Sequence, residues 1–483
     1  METSGLKNQD ILSLTVPLPE DIMKLKWCGE FEQAQRVIDQ RLTKKLPEDL
    51  RRRLMLEKER LRRIPEQYPY SWQDALERMK ENIQDFKEEE LKRLWEEDAA
   101  DWIYRHGQVY FRDNFLENII KTRKEYAERV TASELKENGA KQELLDHTIS
   151  AMKQNGGQAW RYRMKITITF KREAERENVP VRVYLPLPLE YEQIKEVKLL
   201  AVRIGGREAR PEEYQTAPPR QGQRTVCIET PHHGGQEYEI EFSFENHETY
   251  LDLGASEAVD LAEKSAAGLT VRTEEGEENS SSYLDEELPH IRFTPYLRRL
   301  AAEIVGEEKN PLLKARRIYD FITTRVMYSY VRSYLTLDNI PESAAVSLKG
   351  DCGVQALLFI TLCRISGIPA RWQAGLYSAP NEVGNHDWAQ VYLSPFGWRG
   401  VDCSFGGSAW RSQAKERWNF YFGNLDPFRL PAAGEFQQDF LPPSRHLRND
   451  PYDNQEGEAE YEDAGLWAEE YETRFEMVDA EMI

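Results

Sequence analysis

The spacing of apolar positions changes twice along this chain. From residue 20 to about 150, apolar residues recur at helical intervals. Trp72, Leu76, Met79, Ile83 and Phe86 step by four, three, four and three, which places them on one stripe of a helix. Phe111, Phe115 and Ile119 keep that spacing and predict a second helix, while Pro65, Pro69 and Asn155-Gly156-Gly157 punctuate the region. From Trp160 the period drops to two. Tyr162, Met164, Ile166, Ile168 and Phe170 alternate with polar residues, as do Val181, Val183 and Leu185 before Pro186-Leu187-Pro188. Further strands are expected at 197–202, 225–228 and 238–244. Short strands separated by turns predict a β-sandwich. A Glu- and Ser-rich stretch at 272–288 reads as a linker.

Beyond it the pattern is mixed. Residues 354–362 are nearly all apolar with no helix breaker, and predict a buried helix. Residues 386–393 alternate like a strand, Pro395-Phe396-Gly397 signals a turn, and residues 398–402 read as the returning strand. The expected organisation is multidomain α+β: a helical region at 1–155, a central β-sandwich at 156–275, a C-terminal α+β core at 276–430 and an extension at 431–483 that packs on the core.

The core carries the chemistry. Cys352 stands in Lys349-Gly350-Asp351-Cys352-Gly353, directly ahead of the buried helix. A helix N-terminus offers free N–H groups and a positive dipole end, which favour a thiolate. Asp351 is placed to cap that helix, and the glycines let the backbone turn tightly beside the thiol. The backbone N–H of Cys352 is one oxyanion donor. His386 opens the next strand and Asp402 ends the one after it, so a hairpin brings them together. The order is nucleophile, base, orienter. For a second oxyanion donor or pocket wall, the candidates are Tyr328, Gln355 and Trp388. Tyr328 either donates a hydrogen bond or packs, and the tryptophans Trp372, Trp388 and Trp398 are core residues unless one walls the pocket.

These motifs carry a resemblance. Gly-Asp-Cys-Gly at 350–353, Arg364 with Gly-Ile-Pro-Ala-Arg at 367–371, His-x-Trp at 386–388, and Trp398 leading to Val-Asp at 401–402 fall in one order. The segment from Asn310 to about Asp426 resembles the transglutaminase-like core, in the bacterial branch described as candidate cysteine proteases. The resemblance implies a papain-like α+β fold with Cys352, His386 and Asp402 as the catalytic triad. Cys403 departs from it, since many members carry Pro after the Asp. The stretches at 420–426 and 455–458 also resemble features of one bacterial subgroup.

Composition narrows the partners. The 483 residues carry a formal charge of −20, which disfavours nucleic acid and anionic membrane. No apolar run approaches a membrane span and no signal peptide is visible at the start. Five cysteines with no Cys-x-x-Cys pair fit a reducing cytoplasm. Cys363 lies eleven residues beyond Cys352, roughly 16 Å along a helix, too far for a disulfide. Residues 451–483 hold twelve acidic residues against Arg474 alone. Such a tail is either disordered or packed, and its Tyr452, Tyr461, Leu466, Trp467, Tyr471 and Phe475 favour packing. Its acidity also fits a segment that covers the cleft.

Competing readings are weaker. His232-His233 beside two glycines reads as a turn rather than a metal site, and Cys352, His386, Asp402 and Cys403 suit a nucleophile better than zinc. No calcium loop and no cofactor motif is present in the sequence. The expected function is a cysteine-dependent acyl-transfer enzyme that cleaves peptide or amide bonds through a thioester, acting on a peptide or protein substrate. The alternatives are a protein-glutamine transglutaminase or deamidase, and a catalytically silent peptide- or protein-binding scaffold.

Overall fold

In the computed structural model, residues 5–131, 139–190, 193–266 and 283–483 are described. The linker expected at 272–288 therefore lies outside the described residues up to 282.

The alternating stretch from residue 162 is the strand Gly157–Phe170. It pairs antiparallel with Glu237–Thr249, matching Tyr162 to Phe244, Met164 to Phe242 and Ile166 to Ile240. These pairs bury one face of a five-stranded sheet. A four-stranded sheet lies over them, built on Pro180–Pro186 and Thr225–Pro231. Val181, Val183, Leu185, Val226 and Ile228 join Tyr162, Ile166, Phe242 and Phe244 in one core, as the period of two requires.

The last residues complete both sheets. Glu458–Tyr461 pairs with Pro180–Pro186, and Tyr471–Met482 forms the outer strand beside Gly157–Phe170. Acidic side chains of that outer strand meet basic ones of its neighbour, as in Lys165–Glu476 at 3.3 Å and Arg161–Glu481 at 2.9 Å. Of the extension expected at 431–483 to pack on the core, Tyr452 is fully buried among core residues. Tyr461, Leu466 and Tyr471 instead belong to the core between the two sheets.

The N-terminal region is mostly helical, with two differences from the periodicity. The helix Trp72–Asn82 ends before Ile83, whose backbone is extended, so Phe86 reaches the same apolar cluster from a loop. Phe111 is not helical: it closes the strand Gln108–Phe111, which pairs with Trp102–Arg105 and Tyr70–Ser71. Its side chain still meets Phe115, the first residue of the helix Phe115–Thr122, with ring centroids 5.6 Å apart. Pro65 does not break the chain locally, because it sits in the last turn of Glu48–Glu66.

Buried charge ties this region to the core. Arg60 is fully buried and donates to the Leu335 and Thr336 carbonyls at 2.8 Å each and to Asp338 at 2.6 Å. Glu57, also fully buried, bonds Arg53 and Arg60 at 2.6 Å and Lys26 at 2.8 Å.

The core packs helices against an antiparallel sheet ordered Gly397–Val401, Glu382–Leu393, Ala370–Ala379, Arg429–Ala433. The helix Cys352–Ile365 is buried from Gly353 to Arg364 and contacts the central strands. Gly375 is obligatory in this sheet, since a Cβ there would run into the Leu430 carbonyl of the adjacent strand. Among the described residues, no helix is long and apolar enough to cross a membrane.

Candidate active site

Cys352 is the first residue of its helix. Asp351 caps it, with its carboxylate accepting the Val354 N–H at 3.1 Å and the Tyr334 hydroxyl at 2.5 Å. Neither Gly350 nor Gly353 has a positive φ; the glycines serve space instead of turning. A Cβ on Gly350 would collide with Val354, and one on Gly353 would lie 2.6 Å from Asp387 Oδ2 and strike the Tyr334 hydroxyl.

His386 and Asp402 meet across the hairpin, with Nε2 2.7 Å from Oδ2. The returning strand stops at Val401, and Asp402 is the N-cap of the next helix, Cys403–Arg411. Its other oxygen accepts the Phe405 N–H at 2.9 Å and the Ser404 hydroxyl at 3.1 Å. Cys403 is therefore the first helical residue, a position where proline also fits.

Behind the pair stands Arg429, fully buried, which donates to Asp402 at 2.8 Å and to Asp426 at 2.7 Å. Sequence reasoning missed it. The available signal was a lone arginine between Phe428 and Leu430 in an apolar run, because an arginine in the interior is almost always paired. The stretch at 420–426 now has a role as well: the Tyr421 carbonyl accepts the Asp402 N–H at 3.0 Å, and its hydroxyl bonds Asp426 at 3.0 Å.

The other candidates separate. Trp388 is buried behind His386, with ring centroids 5.8 Å apart and planes 29° apart, and its N–H donates to Gln373 at 2.6 Å. It backs the imidazole. Gln355 is turned from the thiol, its amide donating to the Gly350 carbonyl at 2.8 Å. Tyr328 lies in the short parallel pair Met327–Tyr328 with Lys349–Gly350, one strand before the thiol, with Lys121 5.1 Å from its ring centroid. His232 is packed in the core between the two sheets, where Nδ1 meets the Tyr238 hydroxyl at 2.8 Å.

The thiol's surroundings differ from the expectation. Its hydrogen bond runs to Asp387 Oδ2 at 3.5 Å, and Asp387 Oδ1 in turn accepts the Gln455 amide at 2.6 Å. Asn385 donates to Glu456 at 2.5 Å. Residues 450–457 thus form a strap that reaches Asp387, beside the Cys352 thiol, from the C-terminal extension. It is pinned at one end by buried Tyr452, whose hydroxyl bonds His290 at 2.9 Å, and at the other by the strand Glu458–Tyr461.

Burial, with Asp387 and Asp351 beside it, pushes the Cys352 thiol well above its usual range. The helix N-terminus alone does not make a thiolate here. Burial also lowers His386, against the pull of Asp402, so the imidazole is neutral near pH 7 and able to accept a proton. Burial pushes Asp402 up, but His386 and Arg429 outweigh it and hold the carboxylate well below the usual range.

Residues 298–403, which include Cys352, His386 and Asp402, match the model of the transglutaminase-like superfamily. An uncharacterized protein of Haemophilus influenzae is 30% identical over 139 residues; the match covers 24% of this chain and spans 37% of that protein's length. Among solved structures, a candidate cysteine protease from Cytophaga hutchinsonii aligns at a TM-score of 0.39 and 14% identity, covering 68% of this chain and 90% of its own. The periplasmic domain of TgpA from Pseudomonas aeruginosa aligns at 0.26 and 14%, covering 57% and 94%.

Proposed function

With residues 298–403 a transglutaminase-like domain of a cysteine-enzyme family, we propose that the chain is an acyl-transfer enzyme that cleaves peptide or amide bonds through a thioester on Cys352. The observation that carries this reading is the buried His386–Asp402 bond of 2.7 Å, held by Arg429, on the strand whose next residue touches the Cys352 sulfur. With Nε2 engaged by Asp402, Nδ1 is the ring nitrogen left to exchange a proton with the thiol. Cys352 attacks the carbonyl carbon and its proton passes to His386. The tetrahedral oxyanion is met by the Cys352 backbone N–H, with Tyr328 as the second candidate donor. Collapse breaks the C–N bond, and His386 protonates the departing amine. Water then resolves the thioester, with Asp402 keeping the imidazole oriented throughout.

A transglutaminase-like domain implies peptide or protein substrates. An amine in place of water in the last step would give a transglutaminase, and water acting on a glutamine thioester would give a deamidase. The superfamily match favours keeping these as the second reading. A silent binding scaffold is the third.

The test is iodoacetamide labelling of Cys352 across pH, mapped by peptide mass, in wild type and His386→Ala. Labelling at neutral pH that the variant loses supports the Cys–His pair. Equal, slow labelling in both, with an ordinary thiol pKa near ~8.5, overturns the enzyme reading. Peptide mixtures then separate the two chemistries, because hydrolysis splits chains whereas amine transfer adds mass.

A further inference from the structure

The mechanism above leaves the nucleophile's nearest carboxyl unused. Asp387 is 4% exposed, and neither of its hydrogen-bond partners, Cys352 and Gln455, is a cation. Acidic groups face it from three neighbouring segments. Asp351 comes from the cap of the thiol helix, Asp402 from the following helix, and Asp450 and Asp453 from the strap. The Tyr328 and Tyr334 phenols face it from the strand and loop ahead of the thiol, and His386 precedes it on its own strand. The cations of this neighbourhood bear on other carboxylates: Arg448 and Arg63 on Asp450, Arg112 on Asp351. Gly353 leaves the carboxyl packed directly on the first turn of the helix.

We propose that Asp387 is a further catalytic residue, a neutral carboxylic acid whose Oδ2 hydroxyl donates to the Cys352 sulfur and steadies the thiolate. The placement of hydrogens carries the argument. Oδ1 already accepts an N–H from Gln455, so it acts as a carbonyl oxygen. A proton on the carboxyl therefore sits on Oδ2, the oxygen 3.5 Å from Sγ. The hydrogen lying between the two atoms belongs either to sulfur, which then donates to a carboxylate, or to Oδ2, which then donates to the sulfur whether that is thiol or thiolate. Asp387 and the four carboxyl groups that face it cannot all ionise, and burial with Asp351 and Asp450 beside it pushes Asp387 well above the usual range. A neutral Asp387 removes the repulsion that would otherwise forbid the thiolate. In the attack step the thiol proton goes to His386, the sulfur–carbon bond forms as the carbonyl π pair moves to oxygen, and Asp387 keeps its own proton.

This inference rests on the Cys–His reading above, and one experiment separates them. Iodoacetamide labelling of Cys352 in the full chain is followed from pH ~5 to ~10 in wild type, Asp387→Asn, Asp387→Ala and His386→Ala. Two coupled groups predict a two-step profile in wild type. Asp387→Asn, which keeps an N–H donor and the side-chain shape, should give one step with a neutral-pH rate within about threefold of wild type. Asp387→Ala should be at least about tenfold slower there. Both variants labelling faster than wild type, or two steps persisting in Asp387→Asn, overturns the assignment; the Asn variant decides even if the Ala variant does not fold. If His386→Ala leaves the profile unchanged while the Asp387 variants alter it, the Cys–His reading falls and Asp387 stands.

Discussion

Arg429→Met tests how the histidine end of the site is held. The guanidinium is fully buried and bonds Asp402 at 2.8 Å and Asp426 at 2.7 and 3.3 Å. Methionine keeps much of the stem's volume but removes the cation between two buried carboxylates. Taking one partner out of a buried ion pair costs about 3–5 kcal/mol, because the remaining charge stays desolvated. At about 1.4 kcal/mol per decade, that is roughly two to nearly four decades in a local opening equilibrium. A chain of several parts does not unfold in one step, so the readout is amide hydrogen exchange in the strands Ala370–Ala379 and Glu382–Leu393. Protection there should fall by that factor at neutral pH. Asp402 has a depressed folded pKa, so its contribution is present above the unfolded value of about 3.9 and is lost as pH falls through the folded one. The gap between wild type and variant should therefore narrow below pH ~4. Adding Asp426→Asn removes one stranded charge and should restore part of the protection. A loss below about tenfold, or a double variant no better than the single one, refutes the argument.

Three further outcomes are expected. Gly353→Ala pushes a Cβ into the Tyr334 hydroxyl and to 2.6 Å from Asp387, so it should cost about 1–3 kcal/mol by overpacking and lower amide protection in the helix Cys352–Ile365; unchanged protection denies the contact. Burial raises the Glu57 carboxyl, but Arg60, Lys26 and Arg53 outweigh it and hold it at about 2. Its stabilisation is complete above the unfolded value of about 4.3 and lost as pH falls through about 2, so Glu57→Gln should cost about 3–5 kcal/mol in amide protection of the helix Glu48–Glu66 at pH 7, and the charge it removes should matter much less near pH 2. Trp388→Phe removes the 2.6 Å bond to Gln373 behind the imidazole and should cost about 1–3 kcal/mol; exchange rates in Glu382–Leu393 equal to wild type would contradict that.

What the amino-acid order determined by itself was local. A period of two from Tyr162 to Phe170 buries one face as a strand, and a long, nearly all-apolar run with no breaker after Cys352 reads as a buried helix. The hairpin from His386 to Asp402 was legible because its turn lies within the same short stretch. Local signals also misled: Phe111 has helical spacing to Phe115, yet the two lie in different elements that converge on one apolar cluster. Only the tertiary structure decided which distant groups surround the thiol. Gln455 meets Asp387 across 68 positions, and the outermost strand, Tyr471–Met482, pairs with Gly157–Phe170 over about 300. No period or spacing encodes such pairings, because they depend on how whole layers close. The charge state of Cys352 belongs to the same class. Residue type gives it an ionisable thiol, but burial and the carboxyls folded around it decide where its proton rests.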